Sequence, residues 1–240
     1  MKVDPNATPT ARRIHKRGLQ KKASFVSGHK FPGIMQCESM MEADFVQLAL
    51  LDPRIVTIQS QPFCIEMITG EILPTKSAAI DYRRELRSKN PEQQTKIYTP
   101  DFLVEWRDGA RTLFEIHHSG FLKHNDGTLE YPGILASQGL SLTILTEAFL
   151  WGPVAFNAHL LKRHVITNGR FQMSASLADA AQNPVSIQDL LTLHTISSSD
   201  IFAAIANGCL TTDLNTSRLD KQNLVQLSQG NNSYLHVVPK

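Results

Sequence analysis

Nowhere in the 240 residues does an apolar run approach the ~20 residues that crossing a bilayer requires, and the basic N-terminus is not followed by an apolar leader. A membrane or exported protein is therefore not expected. Cysteine is scarce: Cys37, Cys64 and Cys209 are an odd, scattered set without a CxxC pair. This argues against a disulfide framework and against a zinc cluster, and points to a reducing, cytoplasmic setting. No GxxxxGK[ST] or GxGxxG run is present, so neither ATP hydrolysis nor dinucleotide binding is expected. GxSxG is missing too, which removes a common serine-hydrolase arrangement.

What is present is a globular composition, 42% hydrophobic and 19% charged. At roughly 100–150 residues per domain, the length suits one good core or two small ones. The formal net charge of +2 conceals an asymmetry. Residues 1–30 hold eight basic side chains (Lys2, Arg12, Arg13, Lys16, Arg17, Lys21, Lys22 and Lys30) against Asp4, a net +7. The rest of the chain holds 16 basic and 21 acidic residues, a net −5. A basic arm on a mildly acidic body points to a polyanionic partner, most often nucleic acid; the plainer alternative is a solvated tail.

Residues 1–33 lack hydrophobic periodicity and are broken by proline and glycine, so they read as an extended arm without packed structure. A helix is expected over about 38–51, where Met41, Phe45 and Leu48 recur on one face before Asp52-Pro53 ends it. Arg54 to Glu66 reads as strands interrupted at Gln61-Pro62. Thr75–Thr95 is polar and reads as a loop with a helical piece. Asp101–Trp106 and Arg111–His117 flank an Asp-Gly turn, a strong hairpin signal. After a polar, glycine-punctuated segment at 120–138, Ser141–Thr146 reads as a short buried strand. The order implies a mixed α/β core with a central sheet.

Beyond Trp151 the composition shifts. Helices are expected at Phe156–His164, Ser186–Leu193 and Ser198–Asn207, with a β-wing over Leu210–Leu227, which together read as a small α-rich, winged-helix-like module. The organisation is thus an arm at 1–33, a mixed-sheet domain at 34–150 and a C-terminal interaction domain at 151–240. The helix from Ser198 has no Arg or Lys and places Asp200 where a groove-reading helix needs donors, which favours protein docking over DNA reading. Phosphate contacts would come instead from the arm and from Lys162-Arg163.

The residues that carry chemistry cluster around the hairpin. Asp101 opens one strand behind Pro100. Glu115 and His117 share a face of the other, because strand side chains alternate with period 2. Hard carboxylates at adjacent strand ends suit Mg²⁺, which takes oxygen ligands and keeps several waters. A zinc reading of His117-His118 is rejected, since adjacent strand positions point oppositely and no cysteine lies near.

A Pro-Asp step, a hairpin spacer and a Glu-x-base strand resemble the PD-(D/E)xK nuclease pattern. Around it lie Glu38-Ser39-Met40-Met41-Glu42-Ala43-Asp44-Phe45, Leu51-Asp52-Pro53-Arg54-Ile55-Val56, Gln61-Pro62 and Tyr98-Thr99-Pro100-Asp101-Phe102-Leu103-Val104, in this order. Over roughly residues 35–150, to Leu145-Thr146-Glu147, the chain resembles the N-terminal domain of the TnsA-type endonuclease subunit of heteromeric transposases. The resemblance implies a restriction-endonuclease-like mixed sheet with flanking helices. It also implies a Mg²⁺-dependent endonuclease, with Mn²⁺ an alternative, that nicks the 5′ side of transposon ends. Glu42, Asp101 and Glu115 match the metal-binding acids, and Gln61 a strand residue near them. Implied partners are double-stranded transposon-end DNA, a TnsB-type transposase and a TnsC-type ATPase regulator, in a bacterial cytoplasm and at the nucleoid when in complex.

The chain departs from this family at one position. The family carries lysine two residues after the strand acid; here His117 stands there. A lysine is a fixed cation able to steady developing negative charge, whereas histidine is charged only below about pH 6.5 unless shifted. Three readings stay open. His117 replaces the lysine, Lys123 reaches back into the site, or the site is weakened and the chain is an assembly factor bridging DNA ends, transposase and ATPase.

If the arm contacts phosphates, deleting residues 1–30 lowers the magnitude of the log–log salt slope of DNA binding by ~0.9 per lost contact. An unchanged slope in a salt titration would leave the arm as a solvated tail.

Overall fold

The computed structural model describes residues 24–92, 94–122 and 127–240, which divide into two compact units. Arg12, Arg13, Lys16, Arg17, Lys21, Lys22 and Lys123, the expected DNA contacts, lie outside the described residues. The first unit takes in residues up to Ala43 and Ile55–Glu147; the second takes in Asp44–Arg54 and Ala148–Lys240. The division passes through one helix, α1 (Met40–Leu51).

Part of the stretch expected to be an unpacked arm, residues 24–33, is packed. Ser24–Ser27 (β1) pairs antiparallel with Ile34–Cys37 (β2), and Val26, Phe31 and Met35 are buried. Four-residue strands with a Gly-Pro-rich connection carry too little periodicity to stand out in sequence. A deletion that probes the arm alone therefore stops before Ser24.

The first unit is a mixed α/β layer. Ile55–Ser60 (β3), Phe102–Trp106 (β7), Arg111–Ile116 (β8) and Leu142–Leu145 (β9) form the central sheet in the order β3-β7-β8-β9. The first two pairings are antiparallel and β8–β9 is parallel. Alternation sets the faces. Phe102, Val104 and Trp106 are fully buried on one side of β7, and Trp106 Nε1 donates to Thr112 Oγ1 at 2.9 Å. Gly109 turns the hairpin at φ +83°, a conformation that costs glycine nothing.

Leu113 and Leu142 face the other way. They pack with Ile65, Met67, Tyr98 and Leu135, so this sheet face is covered by the helix Tyr131–Ser137 (α4) and by a second, three-stranded sheet. That sheet is Ile72–Leu73 (β5), Cys64–Glu66 (β4) and Ile97–Tyr98 (β6), with β4 central. Between β5 and β6 runs Lys76–Lys89 (α2), capped by Thr75, whose Oγ1 accepts from Ala78 N at 3.1 Å. A 14-residue helix stands where the sequence reads as a loop with a helical piece. Its packing stripe is only Ala78, Ala79 and Tyr82 against Cys64, Leu73 and Ile97, too narrow for a periodicity argument. A short turn of helix, Ser119–Leu122 (α3), follows β8.

The second unit is α-rich. Its helices are Glu147–Leu150 (α5, starting at the boundary), Pro153–Leu161 (α6), Ala175–Ala180 (α7), Ile187–Thr192 (α8) and Ser198–Ala206 (α9). Ser174, Ser186 and Ser197 cap α7, α8 and α9, accepting from Leu177 N, Asp189 N and Asp200 N. Asp200 Oδ2 accepts a hydrogen bond from Ser197 Oγ at 2.7 Å, so it completes a helix cap. Val185–Ser186 (β10), Leu224–Leu227 (β12) and Leu210–Thr211 (β11) form a sheet with β12 central. The chain end is clamped by the buried Asp52, which accepts from Arg54 Nε and from Val238 N at 3.0 Å each. Among the described residues no helix is long and apolar enough to cross a membrane.

Asn157, fully buried on α6, ties down the loop before β12. Its Nδ2 donates to Leu214 O and Ser217 O at 2.9 Å each, and its Oδ1 accepts from Leu219 N at 2.8 Å. Asn157→Ala leaves three backbone groups unmet and is expected to lower stability by about 3 kcal/mol, read by urea denaturation. A loss below about 1 kcal/mol would mean that water replaces all three bonds.

Candidate active site

The site is built at the ends of β7 and β8, beside the second sheet. Period 2 puts Glu115 on the same face of β8 as Leu113, directed at Tyr98. The Tyr98 hydroxyl donates to Glu115 Oε2 at 2.6 Å. Asp101 lies at the entry of β7, and its Oδ2 accepts from the Ile116 backbone N–H at 2.8 Å, one residue beyond Glu115. Asp101 and Glu115 thus come together at adjoining strand ends.

Glu42 is placed by a helix cap. Ser39 Oγ accepts from Glu42 N at 3.1 Å and donates to Glu42 Oε1 at 2.9 Å, and Glu38 N donates to Glu42 Oε2 at 2.7 Å. The Ser-x-x-Glu pattern is therefore a capping box. Its charge still reaches Glu115. Burial pushes the Glu115 carboxyl up, the Tyr98 hydroxyl pulls it back and the Glu42 charge raises it again, leaving it at about 7. Burial and the adjoining Glu115 also raise the Tyr98 phenol, which stays a hydrogen-bond donor.

His117 follows the strand, with Nδ1 3.8 Å from Glu115 Oε1. Its backbone N–H donates to Leu145 O at 2.9 Å. The next residues are held by Glu147, which accepts from Ser119 N at 2.7 Å and from Ser119 Oγ. These bonds, with His118 nearby, bring the Glu147 carboxyl down to about 2. The chain turns here, so His117 and His118 do not simply oppose one another. Both rings meet Phe121 edge-on, at 6.3 and 6.1 Å, and Phe121 is 69% exposed. The sequence reading missed the Glu147–Ser119 anchor, because no local spacing links residues 28 apart.

Gln61 joins the site through a backbone hydrogen bond to Asp101. It adopts φ +44°, rare for a residue with a side chain and disfavoured before proline. Its N–H donates to Asp101 O at 2.7 Å and its Nε2 donates to Glu38 Oε1 at 2.9 Å. Its Oε1 is buried and meets no donor among the described residues.

Among the described residues no three His, Cys, Asp or Glu side chains converge closely enough to hold a metal by themselves. The chemistry nevertheless fits a hard cation. Mg²⁺ is commonly held by one or two carboxylates plus substrate oxygens and water, and Asp101, Glu115 and the unmet Gln61 Oε1 are hard oxygen donors. Glu66 shows the contrast. That buried carboxylate accepts from Ile68 N, Thr69 N, Thr69 Oγ1 and Lys96 N, which leaves it a structural role.

No protein-family model matches the chain, and no curated protein matches it.

Because folding raises the Glu115 carboxyl from 4.5 to about 7, its contribution is fully present below pH 4.5 and lost as pH rises through 7. Without added metal, Glu115→Gln is expected to be more stable than the parent at pH 8, by on the order of 3 kcal/mol. That advantage should fade below pH 4.5. Parallel pH profiles in urea denaturation would contradict the buried, charge-crowded placement of this carboxyl.

Proposed function

We propose that the chain is a metal-dependent DNA endonuclease of the TnsA type, acting on the 5′ side of transposon ends. The observation that carries this reading is the meeting of Asp101, Glu115, His117 and Gln61 at one end of a mixed sheet. Tyr98 holds Glu115 and Glu38 holds Gln61 from outside the hairpin, while the Ile116 N–H holds Asp101 and His117 lies beside Glu115 within it.

In this reading Asp101 and Glu115 hold a divalent ion, Mg²⁺ or Mn²⁺, with Gln61 beside them. Bound there, such an ion supplies charge for the scissile phosphate and acidity for a water. The chain's own groups do the positioning. Tyr98 fixes the Glu115 carboxyl, the Ile116 amide fixes Asp101, and His117 lies where it can orient a water or take its proton. The restriction-endonuclease-like fold belongs to the same proposal. The second unit's order α7-β10-α8-α9-β11-β12, with β10 and β11 flanking β12, supports a winged helix. With α9 bare of Arg and Lys, it serves protein docking, to a TnsB-type transposase or a TnsC-type ATPase. Double-stranded DNA is the substrate.

One observation favours a second reading. Both Glu42 oxygens already accept hydrogen bonds in the helix cap, leaving two carboxylates to the site. Together with histidine in the lysine position, this suits an assembly factor with a weakened site.

The test is nicking of a transposon-end duplex with Mg²⁺ or Mn²⁺, with and without the partner transposase. Asp101→Ala should abolish nicking and His117→Ala should lower it by ~10²-fold or more, with the fold unchanged. His117→Lys should keep activity and flatten its pH profile below neutrality, since lysine stays protonated there. Inactive Lys123→Ala beside active His117→Ala would move the role to Lys123. Transposition indifferent to Asp101→Ala would select the assembly factor.

A further inference from the structure

Helix α2 turns Lys76, Ala79, Ile80 and Arg83, positions i, i+3, i+4 and i+7, onto one cavity of about 200 Å³. Cys64 of β4, Ile97 of β6 and Thr99 close its other side. The Cys64 Sγ and Thr99 Oγ1 atoms are in contact at 3.2 Å. Two cations overlook this cavity, and the acids of the helix are engaged elsewhere, Asp81 with Arg84 and Glu85 with Lys89. Arg83 Nε is shielded from solvent and meets no acceptor among the described residues. A shielded N–H without an acceptor is costly, so Arg83 Nε is a donor to which a ligand oxygen would bring a gain.

The chemistry selects the ligand. A guanidinium, an ammonium and a hydroxyl around a small cavity are a phosphate-recognition set; the lining holds no carboxylate, and its one thiol, Cys64, is engaged with Thr99. The position selects its source. Thr99 precedes Asp101 by two residues, roughly 7 Å along an extended segment. The cavity is on the α2 face of the second sheet, with Cys64 and Ile97, while Ile65 and Tyr98 face the central sheet, so a polymer with its scissile phosphate at Asp101 and Glu115 would meet it around the sheet end that Thr99 and Asp101 mark. The helix as a whole supports a polyanion, with Lys76, Arg83, Arg84, Arg87 and Lys89 against Asp81 and Glu85. Lys76 and Ile80 are exposed at the rim, which leaves room for a chain to continue on either side of a seated phosphate.

We propose that the cavity between α2 and β4–β6 seats a backbone phosphate of the DNA strand that enters the candidate active site. Arg83 and Lys76 act as its cations and Thr99 as a hydroxyl partner. The proposal rests on the nuclease reading and adds a binding site to it.

The test is a salt titration of duplex-DNA binding by the full chain, followed by fluorescence anisotropy. The double variant Lys76→Ala/Arg83→Ala is expected to lower the magnitude of the log–log slope by about 0.9, the share of the one phosphate seated, and to weaken binding about tenfold or more at low salt. Asp101→Asn is expected to lose nicking while keeping the parent's slope. Thermal unfolding of each variant, unchanged from the parent, shows that the helix is intact. A parent that binds DNA with the same slope as the double variant overturns the phosphate seat alone. A parent that neither binds nor nicks DNA overturns both the seat and the nuclease reading. Inorganic phosphate at matched ionic strength separates the source. If it raises the parent's unfolding temperature and not the double variant's, while the DNA slope is unchanged, the cavity holds a free anion and the proposal fails.

Discussion

Much of the first unit is organised around a carboxyl at the end of an apolar sheet face. The side of β8 that carries Leu113 is sealed by Ile65, Tyr98, Leu135 and Leu142, and Glu115 is next along that side. A carboxyl there must be met or it destabilises the fold. The Tyr98 hydroxyl meets it across 2.6 Å, which ties the second sheet to the central one. The remaining cost is visible in the carboxyl's displacement to about 7, with the Glu42 charge contributing. A protein selected for stability alone would place a leucine there.

The same economy runs through the neighbouring residues. Gln61 holds a strained φ of +44° and is fixed by bonds to Asp101 O and Glu38. Strain of this kind persists only where the surroundings over-determine it, and it clusters at working sites. Glu147 pins the turn that carries His117 and His118 by two bonds to Ser119. Two carboxyls flanking one histidine pair are thereby driven in opposite directions, Glu115 up by burial and Glu147 down by hydrogen bonding. The second unit solves a plainer problem. Helices α7, α8 and α9 each begin on a serine cap, and the buried Asn157 and Asp52 satisfy loop and chain-end backbone that no strand partner reaches.

The elements that sequence made legible are those with a local signature. The β7–β8 hairpin follows from alternation around Asp108-Gly109, α1 from its apolar spacing and the Asp52-Pro53 stop, and α9 from its serine start and Gly208 end. Elements whose signal lies in a partner were not legible. The strand β1 exists because Met35 and Cys37 lie opposite, α2 packs through a three-residue stripe, and β10 is two residues borrowed by β12.

The candidate site divides the same way. Sequence by itself determined that Asp101 and Glu115 come together, because a tight hairpin fixes their relative places, with His117 next in the chain after the strand end. It also determined that α9 is bare of Arg and Lys, since that is a matter of composition. Only the tertiary structure decided that Tyr98 orients Glu115, that Glu42 is committed to a helix cap, and that Glu147 anchors the His118 turn. The cavity of Lys76 and Arg83 also needed it. These depend on contacts between residues far apart in the chain, whose meeting is set by how two sheets and a helix bury their apolar faces. No local spacing encodes that packing.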